Sequence, residues 1–373
     1  MAFVSFSCSD YLDRDSLTDL NSNTFWKTET NVQQALAASY SAGFRAVNAN
    51  NSRTGFYGAV SAMAGLPMDI ECLSDNAGLT SGFQGYSTIL RGGINASTGG
   101  GIDNMWRESY TGIAACNYFL DNVDRAAGVM TTENLNKYKA EALFVRAYFY
   151  NELVQMYGAV PLTLKSESVG SGYDNMPRTS KEDVVKQILA DLDFAIPNLP
   201  NIAYTNGHAV RGSAILLKVR ILMNNLRYQE AAETAWSLIG DPANPFKLAD
   251  DYAGIFFGKQ ENNPEIMFSI MYKAPSDYHS LDQMVASRMS CFPTQDLLAA
   301  YEPNDPRIQM TILQPGDPWI QNPKTGTFEQ EGSMAEGVIP YTGLAWKKWI
   351  NPDAYVPTGT YTSDQHIVKM RYA

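Results

Sequence analysis

Glu141-Ala-Leu-Phe-Val-Arg-Ala-Tyr-Phe-Tyr150, running on to Tyr157-Gly-Ala-Val-Pro161, decides the fold. Around it Leu135, Tyr138, Ala142, Val145, Phe149, Leu153 and Met156 recur at steps of three and four, which puts them on one stripe of an α-helix. The stripe predicts a helix from about Thr132 to Tyr157, stopped by Gly158 and Pro161. Arg146 stands inside this apolar helix, so its cation is expected to meet a buried carboxylate or to cap carbonyls.

The neighbours repeat the pattern. Trp106, Tyr110, Ile113, Asn117 and Leu120 predict a helix over about 102–123, with the Asn117 amide buried and tying backbone groups. Val32, Leu36 and Tyr40 mark a first helix, opened after Phe25-Trp26-Lys27-Thr28 and closed by Gly43. Ser180-Lys-Glu-Asp183 reads as a capping box before Val184, Ile188 and Leu192, and Pro197 ends that helix. Then comes a helical pair. His208 to Asn225 carries Val210, Ala214, Leu217 and Ile221, and Tyr228 to Ile239 carries Ala231, Ala232, Ala235 and Leu238. Its length, about 33 residues, is that of a tetratricopeptide unit. One such unit leaves its outer face bare, so other helices must stack against it.

Two regions lack periodicity. From about 48 to 101 Asn, Ser, Thr and Gly dominate, yet Phe56, Tyr57, Phe83 and Tyr86 are embedded there. A patternless stretch of that length inside a domain is usually functional or disordered, and the rings favour an ordered excursion. Residues 241–373 are rich in Pro, Gly and Asn, with β-like pieces such as Glu265-Ile-Met-Phe-Ser-Ile270 and one helix near Thr294 to Tyr301. They read as irregular structure draped over the helices. The expected fold is therefore mainly α, a single domain over 1–373. A tetratricopeptide-like scaffold (25–47 and 102–240) would carry a loop-rich excursion (48–101) and an irregular 241–373 segment, behind a lead-in at 1–24.

Composition excludes several functions. With 28 Lys and Arg against 39 Asp and Glu, the net charge is -11, which gives no electrostatic footprint for nucleic acid. The same charge opposes grip on anionic lipid, so membrane attachment would need a covalent lipid. No run of 18 apolar residues spans a bilayer. Cys8, Cys72, Cys116 and Cys291 form no CxxC, and three His complete no zinc set. Cys116, on a predicted helix, is expected to be a buried free thiol, while a Cys72–Cys291 disulfide stays open.

Enzyme motifs fail in turn. Asp69 with Glu71, or Asp75 nearby, is the best carboxylate pair for glycoside hydrolysis, but a chain with 39 acids contains such pairs by necessity. A solvated loop or a side-chain cap explains them better. There is no GxSxG or HExxH, and His208, His279 and His366 have no patterned nucleophile. His208 reads as a helix-terminus residue. Gly99-Gly-Gly101 fails as a dinucleotide fingerprint because Asn104 stands where the last Gly belongs. No catalytic residue, metal or cofactor is implied.

Four stretches in order carry a resemblance: Cys8-Ser-Asp-Tyr-Leu-Asp13 with Phe25-Trp26-Lys27-Thr28-Glu29; Trp106 with Tyr110, Ile113 and Asn117; Glu141 to Pro161; and Arg178-Thr-Ser-Lys through Asp191-Leu-Asp193 with the helical pair. Together they resemble the SusD/RagB family of Bacteroidetes outer-membrane nutrient-binding lipoproteins. The resemblance implies a cell-surface protein that captures an oligosaccharide or polysaccharide and passes it to a SusC-like TonB-dependent transporter, anchored through a lipid on Cys8 and facing the exterior of the outer membrane. Ligand contacts would come from rings, amides, acids and Arg in the excursion (Asp69, Asp75, Asn76, Phe83, Tyr86, Arg91 and Asn95) and in later loops (Tyr278, His279 and Trp319). Ile367-Val-Lys-Met-Arg-Tyr-Ala373 looks like the start of a family helix that normally continues, so a C-terminal portion is expected to be missing and an apolar face near Ile221 or Leu153 uncovered. Two other readings stand beside this one: a glycoside hydrolase, and a peptide-binding tetratricopeptide scaffold with a concave polar groove.

Overall fold

A computed structural model describes residues 25–44, 71, 73–79, 89, 91–95, 97–98, 101–166, 176–256, 260, 262–273, 291–314, 343–348 and 365–373. Their elements run α1 (Glu29–Phe44), β1 (Ala77–Leu79), α2 (Gly101–Asn122), α3 (Thr132–Tyr157), α4 (Lys181–Asn198), α5 (Arg211–Asn224) and α6 (Tyr228–Ile239). After these come β2 (Ile266–Ile270), β3 (Cys291–Pro293), α7 (Gln295–Ala299), α8 (Arg307–Thr311), β4 (Ile312–Leu313), β5 (Ala345–Trp346) and β6 (Ile367–Arg371). A 3-10 turn, Val123–Val129, links α2 to α3. The fold is mainly α, as the periodicity requires.

The long central helix is α3, and its bounds match the predicted ones. Thr131 caps it by accepting from the Asn134 N–H at 3.1 Å, and Gly158 leaves it at φ +70°. Its burial exceeds one stripe. Phe144, Val145, Ala147, Phe149, Tyr150 and Leu153 are all fully buried, as befits a helix packed by α1, α2 and α4 at once. Met156, expected on the inner stripe, is 43% exposed, whereas Tyr157 beside it packs against Trp106 of α2 at 5.1 Å.

Two glycines make the packing around α3 close. A Cβ on Gly43 of α1 or on Gly112 of α2 would lie 2.2 Å from the Phe149 ring, so both helices touch that ring through bare backbone. Gly43 thus serves a close contact inside the last turn of α1, which ends at Phe44, one residue past the predicted stop.

Two other helix ends move. Pro197 lies within the last turn of α4, which closes through the Leu199 N–H on the Ala195 carbonyl at 2.9 Å, since a proline so near the end forfeits only one bond. The Ser180 cap stands, accepting from the Asp183 N–H at 3.1 Å. α5 begins at Arg211, after His208, and Ser213 accepts from the Val210 N–H at 3.2 Å. In the α5–α6 pair Ala231 and Leu238 are buried, whereas Ala232 faces solvent. The outer face carries Leu226, Tyr228, Trp236 and Ile239, each more than half exposed.

The 241–373 region departs most from expectation. All five residues of β2 are buried, and Phe268 meets Phe44, Phe144, Tyr148 and Tyr204 at ring distances of 5.1 to 6.1 Å. The strand is part of the core, not drapery over it. Ile367–Arg371, expected to begin a helix, is a strand paired antiparallel with β2. Ile367, Val368 and Met370 give that edge of β2 both hydrogen-bond partners and apolar cover. β6 also covers α5, where Arg220 donates to the Lys369 carbonyl at 3.1 Å. Ile221 and Leu153, expected to border an uncovered face, are both fully buried.

Candidate functional site

β1 and β3 join the two loop-rich regions. They pair antiparallel, Ala77 opposite Pro293 and Gly78 opposite Phe292, and link segments more than 200 residues apart. Gly78 is required there, because a Cβ would come within 2.7 Å of the Phe292 ring that covers it. Just before β1 the seam is stitched by Thr294, through both its backbone and its side chain. The Thr294 N–H donates to the Asn76 carbonyl at 3.0 Å, and the Thr294 hydroxyl donates to the Asp75 carbonyl. Thr294 also caps α7 by accepting from the Leu297 N–H at 3.1 Å.

Of the expected ligand residues, the seam holds Asp75 and Asn76. Asp75 is exposed and offers its carboxylate to solvent. Asn76 is half-buried, and its amide donates to Glu71 Oε1 at 2.5 Å. Glu71, considered in the carboxylate pair for hydrolysis, thus accepts from a residue of the seam. β5 lies beside β3 and brings Lys348 to the same region. Burial, and then the Arg371 charge, lower the Lys348 ammonium to about 8 against the opposing pull of Glu71, and its Nζ sits 4.1 Å from the Phe256 ring centroid.

Arg91 and Asn95 are exposed but stand apart from these contacts. Asn95 is committed to a local turn: its Oδ1 accepts from the Ser97 N–H at 2.9 Å and from the Ser97 hydroxyl at 2.6 Å. Asp69, Phe83, Tyr86, Tyr278, His279 and Trp319 lie outside the described residues, as do Cys8 and Cys72.

A buried polar network fixes the scaffold behind the loops. Arg146 donates twice to Asp191, through Nε and Nη2, at 2.8 Å each, and from Nη1 to Asn117 Oδ1 at 2.9 Å. The Asn117 amide in turn donates to the Thr163 carbonyl at 3.0 Å. Both residues thus behave as expected, the cation on a buried carboxylate and the amide on backbone. Cys116 beside them is a buried free thiol, which burial pushes up to about 12 despite the nearby Arg146 charge.

The pattern reading missed a second polar cluster. The His208 Nδ1 lies 2.7 Å from Glu141 Oε2, and the Tyr40 hydroxyl donates to the same oxygen at 3.0 Å while accepting from the Ala209 N–H at 2.9 Å. The Glu141 side chain is 3% exposed and that of His208 43%. The Glu141 hydrogen bond raises the His208 pKa, with burial and Lys137 opposing. A charged residue on the apolar stripe of α3 was the available signal. The cluster borders a pocket of about 230 Å³ between α1, the 206–208 turn and the end of β2.

A short two-stranded seam between the two loop-rich regions is thus mounted on a helical scaffold. Among the described residues no helix is long and apolar enough to cross a membrane. A SusD-like family profile described as "Starch-binding associating with outer membrane" matches residues 10–216, more than half the chain. The protein belongs to that family.

Two curated relatives, SusD-like proteins of Formosa agariphila, are 24% and 26% identical over 280 and 272 residues, covering 72% and 71% of this chain and 50% of each relative. The chain spans about half the length of the curated relatives it matches. Among solved structures, a SusD-like carbohydrate binding protein from Bacteroides fragilis superposes with a TM-score of 0.75 at 22% identity, over 94% of this chain and 72% of that one. Surface glycan-binding protein A from Bacteroides thetaiotaomicron, in complex with laminarihexaose, gives 0.70 at 18%, over 93% and 76%. These likenesses establish the fold.

Proposed function

We propose that this protein is a cell-surface glycan-binding protein that captures oligosaccharides and delivers them to a SusC-like TonB-dependent transporter, held at the outer membrane by a lipid on Cys8. The observation that carries the reading is the β1–β3 seam, which brings both loop-rich regions to one place on a SusD-like scaffold and leaves the Asp75 carboxylate open. A sugar needs polar groups for its hydroxyls and rings for its apolar face. Asp75 and Asn76 supply the first, and Phe83, Tyr86, Tyr278 and Trp319, from the two stretches of sequence that lack periodicity, are the proposed second. The carbohydrate named for the fragilis protein and the laminarihexaose held by the thetaiotaomicron protein support the choice of ligand class. The chemistry is capture and release, with no bond made or broken.

A soluble-glycan screen by affinity electrophoresis and calorimetry tests this, with Asp75→Ala, Phe83→Ala, Tyr86→Ala and Trp319→Ala beside the wild type. Binding without release of reducing ends, weakened about tenfold or more (about 1.4 kcal/mol) by a variant that stays folded, is the expected result. Release of reducing ends would replace the reading with a hydrolase.

One observation favours a second reading, a peptide ligand. Between α4, α5 and α6 runs a groove of about 1070 Å³ lined by ordered polar pairs, Lys218 with Asp193 at 2.6 Å and Arg227 with Glu230 at 2.5 Å. Failure of every glycan together with capture of a peptide lost in Lys218→Ala would select it.

A further inference from the structure

The outer face of α6 lies apart from the seam, and it presents exposed rings. Trp236 is 68% and Tyr228 57% exposed, eight residues apart on the helix and so about 12 Å apart along its axis. We propose that this face is a second carbohydrate site, a surface track along which an extended neutral oligosaccharide lies with Trp236 as its stacking platform. The proposal rests on the glycan-capture reading and adds a place and a ligand shape to it.

The Trp236 ring is held as well as exposed. A Cβ on Gly240 would come within 3.1 Å of Trp236 Nε1 and 3.2 Å of Cε2, so the indole lies against bare backbone at the helix end and leaves most of its surface to solvent. Gly240 has ordinary helical angles, φ -83° and ψ -4°, so the glycine serves close approach there and no unusual backbone. A single apolar side chain on a surface is unremarkable. Two rings on one face, one of them seated on a glycine, are the large, rigid contacts that binding surfaces use.

Hydrogen-bonding groups border Trp236 on both sides. One turn before it, the Gln229 amide donates to Glu233 Oε1 at 2.8 Å, and both side chains are exposed. Directly after Gly240, Asp241 accepts from Arg211 at 3.3 Å and from the Ala243 N–H at 2.9 Å. The Arg211 and Asp241 side chains are 32% and 19% exposed. Each pair is oriented before a ligand arrives and keeps lone pairs and N–H groups for hydroxyls. Along α6 the order is ring, polar pair, ring, polar pair, and a sugar chain offers the matching alternation of C–H faces and hydroxyls.

The other ligand classes fit less well. Arg227 at one end of α6 and Arg211 at the other are each paired with an acid, so neither calls for an anionic ligand. A partner helix would pack on a continuous apolar stripe, and Gln229 and Glu233 interrupt this one.

The test labels the full chain with fluorinated tryptophan and follows its six indoles by fluorine NMR, Trp236→Phe identifying the Trp236 signal. Maltohexaose and laminarihexaose are titrated to about 10 mM, which approaches saturation for a Kd of about 1 mM. The expected result is a saturable shift of the Trp236 signal with at least one hexaose. Two sites on one polysaccharide act by avidity, so on starch or laminarin affinity gels Trp236→Ala should weaken retardation about tenfold. Trp236→Tyr should restore part of it, and Tm should stay at the wild-type value in both because the ring is exposed. A Trp236 signal unmoved by either hexaose overturns the site. So does one that moves with protein concentration and not with sugar, which would put a second copy of the chain on the ring. If the gels still retard the protein while Trp236 stays silent, this site alone falls; if nothing responds to sugar, the glycan-capture reading falls with it.

Discussion

Two ion pairs stand on the same helix, five residues apart, and they differ in almost everything that matters. Arg146 with Asp191 is dry, its side chains 7% and 4% exposed, bidentate, and backed by Asn117. Glu141 with His208 joins a buried acid to a half-exposed base whose charge is conditional near neutral pH. The first pair can only hold α2, α3 and α4 together. The second holds the 206–208 turn and leaves much of its imidazole open to solvent. Burial on both sides makes a pair structural, and burial on one side leaves the other partner able to act.

Asp191→Asn is the sharpest way to break that contrast. It leaves a buried guanidinium without its counter-charge, and about 3–5 kcal/mol of stability should be lost in urea unfolding. Replacing both partners, Arg146→Met with Asp191→Leu, should return most of that loss, because no charge is then stranded. If the double variant is as unstable as the single one, the pair does more than neutralise itself and the account of α3 is wrong.

Asn117→Ala probes the next layer. It removes the acceptor for Arg146 Nη1 and the donor to the Thr163 carbonyl, but leaves the Asp191 pair intact and Thr163 still accepting from the Tyr150 hydroxyl at 2.8 Å. The expected loss is about 1–3 kcal/mol by the same measurement. A loss as large as that of Asp191→Asn would mean that Asn117, and not Asp191, orients the cation.

The two pairs were not equally legible beforehand. A cation inside the α3 stripe demanded a partner, and one was found, although nothing near position 146 pointed to Asp191, 45 residues on. Glu141 stands in the same stripe and posed the same demand, but its partner lies in a connecting segment where no periodicity marks it. Helix bounds for α3 and the Ser180 cap could be read because both are local. Gly43 could be read as a helix stop but not as the place where α1 meets the Phe149 ring, because close approach leaves no mark in one dimension. Ile367–Arg371 fits either period, and only its pairing with β2, about 100 residues earlier, decides for a strand. The excursion stood out in the sequence by its glycines and rings, whereas the seam at Asp75 and Asn76 depends on Thr294, 219 residues from Asp75, which no local pattern marks.

His208→Gln should have the smaller, pH-dependent effect that completes the comparison. The Glu141 hydrogen bond raises the folded pKa of His208 above its unfolded value of about 6.5. A raised pKa contributes stability that is fully present below the unfolded value and is lost as pH rises through the folded one. The groups facing the ring are Glu141 and Lys137 from α3 and Tyr40 from α1, while β2 presents only uncharged side chains. The gap in Tm between wild type and His208→Gln should therefore be widest near pH 6 and close towards pH 9. Because the His208 side chain is 43% exposed, solvent screening keeps the whole effect within about 0.2–1 kcal/mol. Arg227→Gln, which breaks the solvent-exposed Arg227–Glu230 pair, supplies the control: it should leave Tm unmoved at every pH. A gap for His208→Gln that stays constant from pH 6 to 9 would show that the imidazole acts by shape and a neutral hydrogen bond alone, and the contrast between the two pairs on α3 would then lie in exposure and not in charge.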